Sequence, residues 1–331
     1  MIKTGSKTQT LMNIFAPRVL LLFLACLLCL GCEKNSTADE EEQNKPKVAL
    51  IMKSLANEFF IDMAEGTRQH HSANPDRYQL IINGIKDESD LGQQVALVEQ
   101  MQAIGVNAIV IAPADSKALV PVLKRAQQAG IVIVNIDNKL DASLLQDAGI
   151  NIAFVGPDNR IGAGLVAEHL ASNLAPSDEV AILTGIPTAF NAQQRLLGFE
   201  DAMHTAQIKI VDVQSADWQQ TKASTIAAAM ITEHVNLKAI LCSNDNMAMG
   251  AIAAIKQAGK SAEIQVVGFD NISASQSLLE NGSLLATVDQ YGSQLAIFGV
   301  EYALEILNSG IIPADKNTPV DLITAEHFSK P

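Results

Sequence analysis

The chain has 331 residues, 48% apolar but only 4% aromatic, and a net charge of −13. That length supports one large or two medium domains with full hydrophobic cores, and the surplus of Ala, Ile, Leu and Val suits parallel strands alternating with helices. So acidic a surface repels a phosphate backbone, which excludes nucleic acid as a partner.

Residues 19–30, VLLLFLACLLCL, are wholly apolar and follow Lys7 and Arg18. The run has the length of a signal-peptide core and is short for a membrane span. Gly31 and Cys32 come next, and the stretch resembles a bacterial lipoprotein signal, in which the cysteine after a small residue takes the lipid and becomes the new N-terminus. Cys29 stands where such signals usually have Leu; cleavage before Cys26 would leave a shorter apolar core, so Cys32 is the lipid-attachment residue expected here. An uncleaved anchor is the plainer alternative. The expected location is the periplasm or cell surface, with the protein held on a bacterial membrane. Residues 32–46 are polar and acidic and read as a flexible tether, so folding starts near Lys47.

The body alternates. Residues 48–52, VALIM, predict a buried strand, 59–71 a helix and 78–82 the next strand. Over 89–104, Leu91, Val95, Val98, Met101 and Ile104 fall three and four apart, the spacing of an amphipathic helix. A strand follows at 107–111, a helix at 116–129 ending on Gly130, and a strand at 131–136. A second series places strands at 152–156, 179–185, 208–214, 237–243, 264–269 and 284–290. Its helices fall at 160–173, 191–206, 219–234, 245–258, 273–280 and 292–308. The alternation predicts right-handed βαβ units in two doubly wound α/β lobes, whose ligands bind beyond the carboxyl ends of the strands.

The first strand leads into Asn57, Phe59 and Phe60. One ring can face the core while the other offers its face to the C–H faces of a sugar; both rings in the core is the plainer alternative. Asp115 or Ser116 reads as a helix cap. Asp137-Asn138, Asn244-Asp245, Asp270-Asn271 and Asp289-Gln290 also end strands, and Trp218, the single Trp, sits in a polar stretch ill suited to a core, as an aromatic platform. Asn, Asp and Gln with aromatics are what a neutral polyhydroxylated ligand needs. No phosphate-binding glycine loop follows a strand, so no nucleotide cofactor is expected. None of the six His has a metal-binding spacing, no Gly-x-Ser-x-Gly elbow occurs, and Cys242 reads as a small buried hydrophobe. No catalytic or metal residue is assigned.

NEFF (57–60), VNIDN (134–138), QRLLGF (194–199), SNDNMAMGAIAAIKQAGK (243–260), VVGFDN (266–271) and LLATVDQ (284–290), in this order, resemble the ribose-binding group of periplasmic binding proteins, whose fold is shared with LacI-type repressor cores. The resemblance covers nearly all of 47–331. It implies a type I fold with three hinge crossings near Gly156–Pro157, Gln290 and Asn317. The lobes would be 47–157 plus 291–317 and 158–290 plus 318–331. It also implies sugar contacts from Asn57, Phe60 with Phe59, Asp137, Trp218, Asn244, Asp270 and Gln290. Asn138 and Gln193, which replace arginines of ribose binders, and Arg195, which matches the family's R-x-x-G-F arginine, complete the expected ligand contacts. Ala112 replaces a frequent Asn, and Lys53 is a charge where a small polar residue is usual. Lys53 either meets a more polar ligand or is a surface or hinge charge, the plainer reading. A monosaccharide other than ribose, or a polyol, is the ligand these departures suggest. By the same resemblance the protein is a monomer, not an enzyme, whose closed form is read by ABC transporter membrane subunits or, alternatively, by a chemoreceptor or sensor kinase.

Overall fold

The computed structural model describes Met1 and residues 45–328. The expected export signal, the expected lipid-attachment residue Cys32 and most of the expected tether lie outside the described residues. From the N-terminal side the elements are β1 (Lys47–Ser54), α1 (Glu58–Ala73), β2 (Gln79–Ile85), α2 (Leu91–Ala103), β3 (Ala108–Ile111), α3 (Val120–Gln128), β4 (Val132–Ile136), α4 (Ala142–Ala148) and β5 (Ala153–Pro157). Then come α5 (Asn159–Ala171), β6 (Glu179–Thr184), α6 (Phe190–Thr205), β7 (Lys209–Ser215), α7 (Gln220–Glu233), β8 (Leu237–Cys242), α8 (Asp245–Gln257), β9 (Gln265–Val267), α9 (Ser273–Glu280) and β10 (Ala286–Asp289). The chain ends with α10 (Gly292–Ser309), β11 (Lys316–Thr318), β12 (Asp321–Thr324) and a 3-10 turn at Ala325–Phe328.

Among the described residues the strands form two six-stranded sheets, ordered β11-β5-β4-β3-β1-β2 and β12-β10-β9-β8-β6-β7. Alternate side chains of a strand point to opposite faces, so a run apolar throughout needs a layer on each side. Val48, Leu50 and Met52 of β1 pack with α1 and α10, while Ala49 and Ile51 face α2 and α3. In the second sheet Ala181 and Leu183 of β6 face α7 and α8, and Val180 and Ile182 face α5 and α6. Two α/β lobes, each wound on both faces of its sheet, are the architecture expected from the alternation.

The chain passes between the sheets three times. It leaves the first after β5, since α5 packs with Phe269 and Val288 of the second lobe. It returns after β10, since Leu295, Ala296 and Val300 of α10 pack under β1, β3 and β4. The third passage lies between β11, parallel to β5, and β12, antiparallel to β10. The second sheet is therefore mixed rather than wholly parallel. Neither terminal strand was evident from the sequence, because KNT and DLIT are short and have no apolar run. α4 was missed too: it buries no residue, and its N-cap Asp141 accepts from Leu144 N. The third helix begins at Val120 rather than 116, because Asp115 Oδ1 first accepts from Lys117 N and Ala118 N at 2.7 Å, making a turn.

α5 and α6 approach closely at Gly198, where an added Cβ would stand 2.4 Å from the carbonyl oxygen of Arg160. Backbone cannot yield as a side-chain tip can, so Gly198→Ala forces the helices apart, at a cost of about 1–3 kcal/mol. Calorimetry should show a melting temperature several degrees lower, and an unchanged one would mean that this contact is not tight.

Candidate functional site

The carboxyl ends of the two sheets meet across a cleft, and side chains from both lobes line a small space there. From the first lobe come Lys53, Asn57, Phe59, Phe60, Glu88 and Asp137. From the second come Asn191, Arg195, Trp218, Asn244, Asp270 and Gln290. Nine of the eleven ligand-binding residues expected from the sequence therefore line one space.

Lys53 stands one residue before the end of β1 and Asp137 follows β4, and their side chains pair at 2.9 Å with each 2% exposed. The Lys53 ammonium lies 5.7 Å from the Phe60 ring centre and 5.8 Å from that of Trp218, in the range of cation–π attraction. Lys53 is thus neither a surface nor a free hinge charge: the sheet carries it inward beside the carboxylate that balances it. Across the cleft Arg195 Nε donates to Asn159 Oδ1 and one terminal nitrogen to Ser243 O, each at 2.8 Å, and that same nitrogen lies 3.4 Å from Asp270 Oδ1. Its guanidinium lies 3.7 Å from the Phe269 ring centre. Asp270 also accepts from Gln290 Nε2 at 2.7 Å. Asp137 and Asp270, the two carboxylates that could in principle have faced each other as an acid–base pair, each have a cation instead.

Asn57 caps α1, its Oδ1 accepting from Phe59 N, while its Nδ2 donates to Glu88 Oε1 at 3.2 Å. Asn244 caps α8 by accepting from Met247 N. Both amides are held by the backbone before any ligand arrives. Phe59 and Phe60 meet edge to face, 5.2 Å apart, and both belong to the first-lobe core as well as to the cleft wall. Trp218 is also core-packed, only 6% exposed, so the expectation that it is ill placed for a core does not hold. Its ring lies on Gly185, where an added Cβ would come within 2.0 Å. The indole Nε1 and Gln290 Oε1 are buried without a hydrogen-bond partner. Buried polar atoms are rarely left so, which makes them a donor and an acceptor for a bound molecule.

Burial sets the protonation chemistry. It pushes the Glu88 carboxyl up to about 7 against the pull of Lys53 and Asn57, and Asp270 well above the carboxylate range against the pull of Arg195. It draws Arg195 below its ordinary value, with Asp270 opposing. Cys242 is buried and its thiol is raised well above the ordinary range, which makes it inert.

Two expected residues do not reach the space. Asn138 is fully buried, its Nδ2 donating to Pro113 O and its Oδ1 accepting from Asn191 N, so its amide is already engaged. Gln193 is exposed and donates to Pro187 O. Asn191 and Arg195, four apart on α6, share the face turned to the cleft, and Gln193 between them faces away. That spacing would have identified Asn191. Glu88 follows the second strand and is found by inspecting that strand's end as the others were. Away from the cleft, Asp212, Glu233 and His234 bring ligand atoms within 4.8 Å of one another, a grouping no sequence spacing revealed.

A family model described as "Periplasmic binding protein domain" matches residues 48–311. The D-ribose/D-allose-binding protein of Pseudomonas aeruginosa is 48% identical over 318 residues, covering 95% of this chain and 100% of the relative. An ABC transporter solute binding protein from Burkholderia multivorans superposes with a TM-score of 0.84 at 51% identity, covering 85% of this chain and 100% of that one. Another from Actinobacillus succinogenes, with bound D-allose, gives 0.81 at 35% identity over 85% and 98% of the two chains.

Two stability predictions follow from the buried charges. Breaking one partner of a buried pair leaves the other uncompensated, typically costing about 3–5 kcal/mol. Lys53→Met should therefore destabilise the protein more than Lys53→Met with Asp137→Asn in denaturant unfolding; equal losses would mean that the pair is not coupled. Between the ordinary value of 4.5 and the folded value of about 7, folded Glu88 keeps a proton that the unfolded chain releases. Stability then falls as pH rises through that window. Glu88→Gln should flatten the decline between pH 5 and 8, leaving the parts due to Asp245, which burial also raises to about 7, and to Asp270, which burial raises as well. An unaltered slope would show that Glu88 is not buried in solution.

Proposed function

The chain belongs to the periplasmic binding protein domain family, and we propose that it is the solute-binding protein of an ABC sugar importer, closing over one monosaccharide of the D-ribose or D-allose type. It binds its solute rather than transforming it. What supports the reading is the composition of the closed space. Each lobe brings one ion pair, Lys53–Asp137 or Arg195–Asp270, and one aromatic face, Phe60 or Trp218. The rings can cover the C–H faces of a pyranose while the paired charges and amides exchange hydrogen bonds with its hydroxyls. Because contacts come from both lobes, the ligand favours the closed form, and the importer's membrane subunits read that form.

The relatives named above support the choice of sugars. D-allopyranose repeats the three successive hydroxyls of D-ribopyranose and adds a hydroxymethyl group. Affinity for the two then depends on whether the space admits that group. Lobe assignments of 47–157 with 291–317 and of 158–290 with 318–331 belong to this reading. So does attachment to a membrane through a lipid on Cys32, supported by the apolar run and Gly31 before it.

Trp218, the single Trp, stands in the wall, so its emission should report the ligand directly. Titration with D-allose, D-ribose and D-glucose, the last differing from allose at one carbon, should give a saturable change with allose or ribose and a much weaker one with glucose. Asp270→Ala should abolish it. A folded protein that responds to none of these removes the sugar assignment.

A further inference from the structure

A helix leaves its first N–H groups without intrahelical partners, and a capping side chain usually accepts from one of them. In the second lobe α5 and α8 are capped within their own chain segment, by Asp158 and Asn244. α6 and α9 are not: their N-cap positions hold Ala189 and Ile272, and neither has a side-chain cap bond. Their partners lie in the first lobe. Phe190 N, opening α6, donates to Ser116 Oγ at 2.9 Å, and Asn191 N donates to Asn138 Oδ1 at 3.2 Å. Ala274 N, in the first turn of α9, donates to Glu58 Oε2 at 3.3 Å. Ile272 beside it packs into the first-lobe core with Phe59 and Phe60.

We propose that Ser116, Asn138 and Glu58 are positioning residues for closure, capping helices α6 and α9 of the opposite lobe when the cleft shuts. The inference rests on the closure reading above. None of the three lines the sugar space. They therefore act on affinity by holding the closed form, not by touching the ligand. Opening the cleft parts these bonds and returns the N–H groups to water, so each bond adds a modest bias. The apparent affinity of a ligand scales with the fraction of protein in the competent form, and a lost cap weakens it by about fivefold. The arrangement also accounts for Asn138 in place of an arginine: its carbonyl is used across the cleft.

The test compares Ser116→Ala, Glu58→Ala and the double variant with Ser116→Thr and Glu58→Gln, which retain an acceptor. Trp218 emission is followed on adding D-allose and D-ribose, with stopped-flow measurement of release. Each alanine should weaken binding about fivefold and the pair about twenty-five-fold, chiefly through faster release. The sugar-free melting temperature should stay within about two degrees, and Thr and Gln should stay near the parent. A double variant that binds within twofold of the parent overturns the proposal. If the parent responds to neither sugar, the ligand assignment fails separately. Spin labels on the two lobes of the sugar-free protein then decide: the double variant should shift the distance distribution outward, and an unchanged distribution overturns the proposal.

Discussion

The cleft holds Lys53, Asp137, Arg195, Asp270 and Glu88 out of water together, each no more than 7% exposed. The cost of desolvating an ion exceeds what a loose pairing returns, so the charges must be matched and well bonded. The chain matches its charges lobe by lobe. Lys53 is balanced by Asp137 within the first lobe and Arg195 by Asp270 within the second. Glu88 would be a surplus anion, and burial raises it toward neutrality. Each lobe thus carries its own cation and its own acidic partner. Hydroxyls, which donate and accept, can bond to either member of such a pair.

The same loops hold backbone conformations that most residues avoid. Asp137, Trp218 and Asp270 have φ of 62°, 67° and 119°, and none is glycine. Such geometry persists only where surroundings over-determine it. Here the surroundings are the ends of parallel strands that have layers on both faces. Gly185 is the counterpart: it has no side chain, and the Trp218 ring occupies the room one would need. The wall of the site is thus fixed by the sheets.

Much of this was legible in the sequence, for definite reasons. Apolar strands and three- and four-residue spacings gave the two lobes, and looking just beyond each strand found Asp137, Asn244, Asp270 and Gln290. Lys53 was misjudged because a lysine reads as solvated until its partner, 84 residues on in the chain, is placed beside it. Asn138 was misjudged for a related reason. At a strand end, in an arginine's place, it read as a ligand contact, whereas its bonds run to Pro113 and to a helix of the other lobe. Strand order decides such pairings, and no local pattern encodes it.

The first sheet is not finished when its first five strands have been made. β11 pairs with β5 through Lys316 and Val155, and α10, which covers one face, begins at residue 292. Nearly the whole second lobe lies between these partners along the chain. During synthesis, residues 47–157 therefore wait for the last stretch of the polypeptide before one face of their sheet can be covered. Such long-range closure slows folding and keeps apolar surface exposed meanwhile.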